Sequence, residues 1–305
     1  MNLRDLEYLM ALADTRHFGE AAQRCQVTQP TLSTQIGKLE RELEVEIFER
    51  GRRVELTTAG REIISQASVV LDEVDRLRQI ARGSKDPLNG AFRLGVLYTA
   101  GPYLLPSILP PIRQEYPKLE LLVREGTTEQ LNDRLRLLDL EAAILSTPIG
   151  ESALDSELIF REEFLLALPP QHDLRHKSRL RICDLADANI LVLEEAHCMG
   201  RQVDDFCRAH LGDQWHKVPA SSVESLRQMV SAGIGCALLP AMATLGPFAE
   251  ISPVAVRRFA DPAPSRDLVL VWRKHAAQRT ALRELAIWLR QTIDWTALMG
   301  AIPAP

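Results

Sequence analysis

The sequence lacks the apolar run that a membrane span requires. No stretch approaches the roughly 20 consecutive apolar residues that cross a bilayer, and Met1 opens directly into a charged, helix-like segment. Neither a signal peptide nor a membrane anchor is expected, and a reducing, cytoplasmic setting is. Cysteine is sparse and odd in number. Cys25, Cys183, Cys198, Cys207 and Cys236 make a poor structural disulfide framework, so any disulfide is expected to be transient and functional. No metal-ligand spacing, phosphate-binding glycine loop or serine-triad signature occurs, and neither a metal nor a cofactor is expected. Surplus positive charge is missing as well. The chain carries a formal net charge of −5, and residues 1–62 hold nine Lys/Arg against eleven Asp/Glu. Nucleic-acid binding can therefore rest only on the pattern and placement of residues.

What is present is the composition of a soluble globular protein, 46% hydrophobic and 25% charged, in a chain of 305 residues. That length exceeds one ordinary core and suggests about two to three domains. Leu3, Leu6, Leu9, Met10 and Ala13 recur at helical spacing, followed by a shorter set at Phe18, Ala21, Ala22 and Cys25. A third helix opens at Val27-Thr28-Gln29-Pro30-Thr31, where a capping hydroxyl precedes a proline placed in the first turn, and runs to about Glu44.

On that third helix Leu32, Ile36, Leu39 and Leu43 share one face. The opposite face is small and polar. Gln29, Pro30, Thr31, Ser33 and Thr34 can approach base edges or phosphates, Gly37 adds no bulk, and Lys38 and Arg41 can meet phosphates. Alone, this is an ordinary solvated helix face. What changes the reading is Ile47-Phe48-Glu49-Arg50-Gly51-Arg52-Arg53-Val54-Glu55-Leu56, two short strands around a basic turn. Helix-turn-helix plus wing predicts DNA binding, with Arg50, Arg52 and Arg53 concentrating charge that the domain total conceals.

Residues 58–82 predict one long helix. Ile63, Ala67, Val70, Val74, Leu77 and Ala81 step alternately by four and three, the period of a coiled-coil seam between two chains. Gly83-Ser84-Lys85-Asp86-Pro87 then breaks it as a hinge. From Leu88 the pattern alternates. Strands are expected at 92–97, 119–123, 142–145, 164–168, 190–193, 235–239 and 268–272, and helices at 128–138, 199–210, 223–232 and 278–293. That alternation predicts α/β layers on largely parallel sheets.

One cysteine stands out. Cys198 follows the apolar strand 190–193 and sits near the start of a helix, where ligands bind in an open α/β sheet and the helix dipole favours an anion. With His197 and Arg201 nearby, these features favour the thiolate. The plain alternative is a buried structural cysteine, which is the expectation for Cys25, Cys183 and Cys236. Thr99 and Thr128 also follow strand candidates, and each taken alone reads as a helix cap.

The run Phe18-Gly19-Glu20-Ala21-Ala22 through Gln29-Pro30-Thr31-Leu32-Ser33, the Ile36…Leu39-Glu40 step, Phe48-Glu49-Arg50 and Leu56-Thr57…Gly60 resemble the DNA-binding region of LysR-type transcriptional regulators. The resemblance covers about residues 1–85. It implies a multidomain α+β chain: a winged helix-turn-helix over 1–57, a dimerising linker helix and hinge over 58–87, and a sensing domain over 88–305. That sensing domain would resemble periplasmic binding proteins, with subdomain I at 88–161 plus 267–305 and subdomain II at 162–266. The crossovers would lie near Arg161-Glu162-Glu163 and Pro262–Arg266. A dimer or tetramer, an interrupted inverted repeat of double-stranded DNA and RNA polymerase are the implied partners.

Within that family the chain resembles the peroxide-sensing members. The similarity lies in Thr99-Ala100-Gly101-Pro102-Tyr103-Leu104-Leu105-Pro106, Glu194-Glu195-Ala196-His197-Cys198, Cys207 after Phe206, and Ser222…Glu224-Ser225-Leu226-Arg227…Met229-Val230. It implies that Cys198 is oxidised by hydrogen peroxide, that Cys207 resolves it, and that Thr99, Thr128 and His197 hold the peroxide beside Cys198, in control of oxidative-stress genes. The sequence departs from these members after the cysteine. Met199 is followed by Gly200-Arg201-Gln202, so the usual Asp is absent from its place and the basic residue is displaced by one. Two other readings compete: a regulator of the same family that senses a small organic metabolite in the cleft between subdomains, and a thiol-dependent peroxidase or hydrolase. The enzyme reading is weakened because adjacent residues such as His197 and Cys198 rarely aim at one reacting atom.

Overall fold

The computed structural model describes residues 1–50, 54–81, 88–147, 152–186, 188–194, 197–212, 216–244, 254–260 and 262–296. Its first unit comprises α1 (Leu3–Thr15), α2 (Phe18–Arg24), α3 (Gln29–Leu43), a two-stranded wing of β1 (Phe48–Arg50) and β2 (Val54–Leu56), and α4 (Thr58–Ala81). Asn2 and Asp5 form a capping box that starts α1. Thr28 caps α3 by accepting from the Thr31 N–H. Leu32, Ile36 and Leu39 are buried with Leu6, Leu9 and Leu12, whereas Leu43, expected on the same face, is exposed at the last residue of the helix. The Glu40 carboxylate accepts from the N–H groups of Ile47 (2.9 Å) and Phe48 (3.1 Å), which fixes the wing to α3. The expected hinge at 83–87 lies outside the described residues.

The long helix corrects the expected seam. Ala67 is buried with Leu71 in the core of its own chain's first unit, and Ile63 packs against that core. The reason is local: a three-helix unit leaves a bare apolar face, and the first half of α4 covers it. Of the expected seam residues, Val74 is half-buried and only Val70 and Leu77 are exposed, at 38% and 65%. The Ala81 side chain lies outside the described residues.

The second unit runs β3 (Gly90–Leu97), α5 (Gly101–Glu115), β4 (Leu119–Gly126), α6 (Thr128–Arg136), β5 (Ala142–Ser146), β6 (Leu154–Leu168), β7 (Asn189–Leu193), α7 (Cys198–Leu211), β8 (His216–Ala220), α8 (Val223–Ser231), β9 (Cys236–Pro240), α9 (Ala241–Thr244), β10 (Ala255–Arg257), β11 (Ser265–Arg273) and α10 (Arg279–Thr292). The strand order is β4-β3-β5-β11-β6-β9-β7-β8, with β10 also on β6. The sheet is less parallel than expected. β3 is parallel to β4 and β5, and β7 to β8 and β9, but β11 and β6 run antiparallel to their neighbours through the middle. β6 is a single strand of 15 residues. Its first part pairs with β11 and its last part with β9, so two α/β halves share it.

α5 was not expected at all. It carries Pro106, Pro110 and Pro111 in its interior, each of which removes a backbone hydrogen bond. Leu104, Ile108 and Ile112 nevertheless recur every four residues and are fully or nearly buried, so tertiary burial of one stripe sustains a helix that local propensity disfavours.

The two units touch through both apolar and polar contacts, with Leu137 and Leu138 packed against the core of the first unit. Arg273 donates from Nε to Asp72 of α4 at 2.9 Å, while its Nη1 donates to the carbonyls of Leu135 and Leu140 in its own unit. Arg24 of α2 pairs with Asp139 at 2.6 Å.

Candidate functional site

The ends of strands β3, β4 and β5 meet the loop and helix that follow β7, and the site is built from the residues just past those ends. The ends of β3 and β4 are tied by the Tyr98 N–H donating to the Gly126 carbonyl at 3.2 Å. Thr99 and Thr128 follow, both buried. Neither is a helix cap: α5 begins at Ala100 without a side-chain cap, and α6 is capped by the neighbouring Thr127. The Thr99 hydroxyl instead accepts from Arg266 at 3.0 Å. Among the described residues the buried Thr128 hydroxyl has no partner. A buried hydroxyl left open in this way has room for one more hydrogen-bond partner.

Past β7, His197 is the N-cap residue of α7 and Cys198 its first residue. The Cys198 thiol therefore lies at the positive end of a helix of 14 residues, and Cys198 is buried. The first turn of α7 presses on the end of β7. A Cβ on Gly200 would stand 2.4 Å from the Leu193 carbonyl oxygen, so no side chain fits there. The His197 ring meets Tyr98 edge-on at 6.3 Å between centroids, which joins the cysteine-bearing loop to the strand end that carries Thr99. Arg201 is exposed.

Cys207 lies on the same unbroken helix, nine residues on and fully buried. Burial, with Asp204 as a lesser contributor, pushes its thiol up to about 12. At about 1.5 Å per residue the two Cα atoms stand about 13 Å apart, beyond the roughly 4.4–6.8 Å that a disulfide spans. Cys236 is buried as expected and Cys25 is half-buried, but Cys183 is exposed, because it sits in a short 3₁₀ turn rather than on a periodic core face.

Two joins near the site are not legible in the sequence. Glu162 and Arg266, in register across β6 and β11, form an ion pair at 2.7 Å with both side chains at zero exposure. Glu162 also accepts from the Met242 N–H at 2.8 Å. The two residues fall in the expected crossovers, but nothing in either segment signals their pairing. The second join is made by Gln202 of α7, which reaches the end of β5.

In the first unit Gln29, Pro30, Thr31, Ser33, Thr34, Lys38 and Arg41 are all exposed on one side of α3. A groove of about 980 Å³ beside them is bordered by Ser33, Thr34, Gly37 and Arg41. The side chain of Arg50 and all of Arg52 and Arg53 lie outside the described residues. Among the described residues no group of three or more His, Cys, Asp or Glu is placed to hold a metal ion, and no helix is long and apolar enough to cross a membrane.

A winged helix-turn-helix joined by one long helix to two α/β halves that share a strand is the build of a signal-responsive bacterial regulator. The chain belongs to the LysR family: residues 3–61 match the bacterial regulatory helix-turn-helix protein, lysR family, and residues 85–294 the LysR substrate binding domain. Its relatives narrow the class. The chain is 40% identical to the DNA-binding transcriptional dual regulator OxyR of Escherichia coli K12, over 96% of both chains. A full-length OxyR variant from Pseudomonas aeruginosa superposes with a TM-score of 0.77 at 35% identity, over 95% of both chains. The oxidized form of Corynebacterium glutamicum OxyR gives 0.58 at 29% identity, over 95% of this chain and 90% of that one.

Proposed function

We propose that this protein is a DNA-binding transcriptional regulator that senses hydrogen peroxide through Cys198 and Cys207 and controls oxidative-stress genes. The observation that carries the reading is α7 itself, with one thiol at its N-terminus next to the ends of β3 and β5 and a second buried nine residues along it. The Cys198 thiolate attacks one peroxide oxygen, the O–O bond breaks, hydroxide leaves and Cys198 becomes a sulfenic acid. Cys207 then attacks that sulfur, releasing water and closing the disulfide. Thr99, Thr128 and His197 orient the peroxide. In the reduced fold Cys207 is out of reach and held protonated, so the second step requires part of α7 to unwind. That movement couples a local oxidation to the packing of the two halves.

In the same reading Gln29, Pro30, Thr31, Ser33, Thr34, Lys38, Arg50, Arg52 and Arg53 meet DNA. Val70, Val74 and Leu77 of α4 pair two chains, which assemble further into a tetramer, read an interrupted inverted repeat and engage RNA polymerase. The working division remains 1–57, 58–87 and 88–305. The chain is a stoichiometric sensor and not an enzyme: without added reductant it should consume about one peroxide per subunit. Footprinting with and without limiting peroxide tests the reading. Peroxide should alter the footprint of the unmodified protein and leave that of Cys198→Ser unchanged. A footprint that ignores peroxide but responds to a small carboxylate metabolite would replace peroxide sensing with metabolite sensing.

A further inference from the structure

Four residues beyond Cys198, and so on the same face of α7, stands Gln202. Its Nε2 donates to the Ser146 hydroxyl and to the Thr147 carbonyl, each at 2.9 Å. Ser146 ends β5, in the first half of the sensing unit, and is 1% exposed. The amide orientation is fixed by chemistry, because a backbone carbonyl only accepts and must face the NH₂ group. This leaves the Gln202 side-chain oxygen pointing away, buried and without a partner among the described residues.

The first turn of α7 is thus held from two sides. Gly200 lies against the carbonyls of Leu193 and Glu194 in its own half, and Gln202 is bonded to the tip of β5 in the other. Cys198 cannot move toward Cys207 while both holds remain. The Gly200 contact is one of shape and yields as soon as the helix unwinds. The Gln202 contact consists of bonds that must be broken.

We infer that Gln202 is a positioning residue, a latch that holds the cysteine-bearing helix against the tip of β5 in the reduced state and so sets the redox potential of the Cys198–Cys207 couple. This rests on the thiol-sensing reading above. Two neutral hydrogen bonds offset by one unsatisfied buried acceptor make a modest hold. The amide is fully hydrated once α7 leaves, so the latch releases without an additional partner. An interaction made only by the reduced form stabilises that form and favours the dithiol. Removing it shifts the couple toward the disulfide.

The test is equilibration of the full-length protein in glutathione buffers, with the disulfide fraction read by alkylation and mass spectrometry. Gln202→Leu keeps the bulk but strands the Ser146 hydroxyl and the Thr147 carbonyl. It should shift the equilibrium toward disulfide by roughly tenfold, equivalent to about 30 mV for a two-electron couple. Ser146→Ala removes one bond from the other side and should shift it the same way by less, which keeps the idea testable if the first variant folds poorly. The rate of sulfenic acid formation, followed with a dimedone-type trap, should stay within about twofold of the unmodified protein, because the latch acts after the first step. Both variants shifting by less than twofold, with the unmodified protein still forming the disulfide, overturns the latch alone. No Cys198–Cys207 disulfide in the unmodified protein overturns the latch and the sensing reading together.

Discussion

Two of the joins between the halves of the sensing unit differ in chemistry. At the crossover, Glu162 and Arg266 meet as a charged pair with zero exposure, and each carries a further bond, Glu162 from the Met242 N–H and Arg266 to the Thr99 hydroxyl. At the start of α7 the join is a neutral amide with two bonds and one stranded oxygen. Buried charges tolerate no loss of partner, because the survivor is left in a medium that cannot solvate it. A neutral amide can leave at small cost. The first join behaves as an axle and the second as a catch, and only the catch lies on the helix that carries both thiols.

The largest effect is expected from breaking the axle. Glu162→Ala leaves Arg266 buried and unpaired, and should lower stability by roughly 3–5 kcal/mol in urea unfolding. Replacing both partners with apolar residues of similar volume should recover much of that loss. A single substitution that costs under about 1 kcal/mol would show that the joint is not what holds the halves.

A second expectation concerns the join between chains. Leu77→Asp places a charge on the bare part of α4 and should weaken self-association by at least about thirtyfold in sedimentation, since an unpaired charge in an apolar seam costs about 2 kcal/mol or more. Ala67→Asp should damage folding of the first unit instead, because Ala67 is already buried in its own chain. Equal effects on association from both would argue that the whole heptad pairs between chains.

Next in size is the ionisation of Cys207. Its pKa is pushed from 9.0 to about 12 by burial. The unfolded chain therefore sheds this proton at lower pH than the folded one. The resulting stability is intact below about pH 9 and is lost as pH rises from 9 toward 12. Cys207→Ala should flatten that alkaline slope, leaving the share due to Cys236, pushed to about 11. At pH 8, iodoacetamide should label exposed Cys183 at least about tenfold faster than Cys207, because the thiolate is the reactive form. Equal labelling would mean that α7 opens freely before oxidation.

The smallest effect is expected farthest from both joins. Lys38→Ala should lower the slope of log affinity against log salt by about 1, and leave the rate of Cys198 oxidation unchanged.

How much of this was legible follows from the range of the forces involved. The helix faces of α1 and α3, the wing strands and most sheet strands announce themselves through periodicity, because burial of one face is written into neighbouring residues. α5 was not legible, since three interior prolines outweigh a clear four-residue stripe. β6 was read only in its last third, because Leu154–Arg161 has little apolar alternation to mark it as a strand. The heptad of α4 was legible as a pattern but not as a destination: sequence cannot say that Ala67 and Ile63 face their own chain. Cys198, Thr99 and Thr128 stand out in the sequence by position after strands, and Cys207 and His197 by resemblance. Glu162 with Arg266 and Gln202 with Ser146 do not. Their partners lie 104 and 56 residues away, and pairing at that distance is created by the sheet.

In the proposed mechanism one peroxide closes Cys198 onto Cys207 by unwinding α7. Its most direct test is peptide mapping by mass spectrometry of the full-length protein after limiting peroxide, alongside Cys198→Ser and Cys207→Ser. This mechanism predicts a Cys198–Cys207 disulfide in the unmodified protein, a sulfenic acid trapped at Cys198 in Cys207→Ser, and no oxidation at Cys207 in Cys198→Ser. Free thiols at both positions after peroxide, or a disulfide joining Cys198 to Cys183 or Cys236 instead, would contradict it.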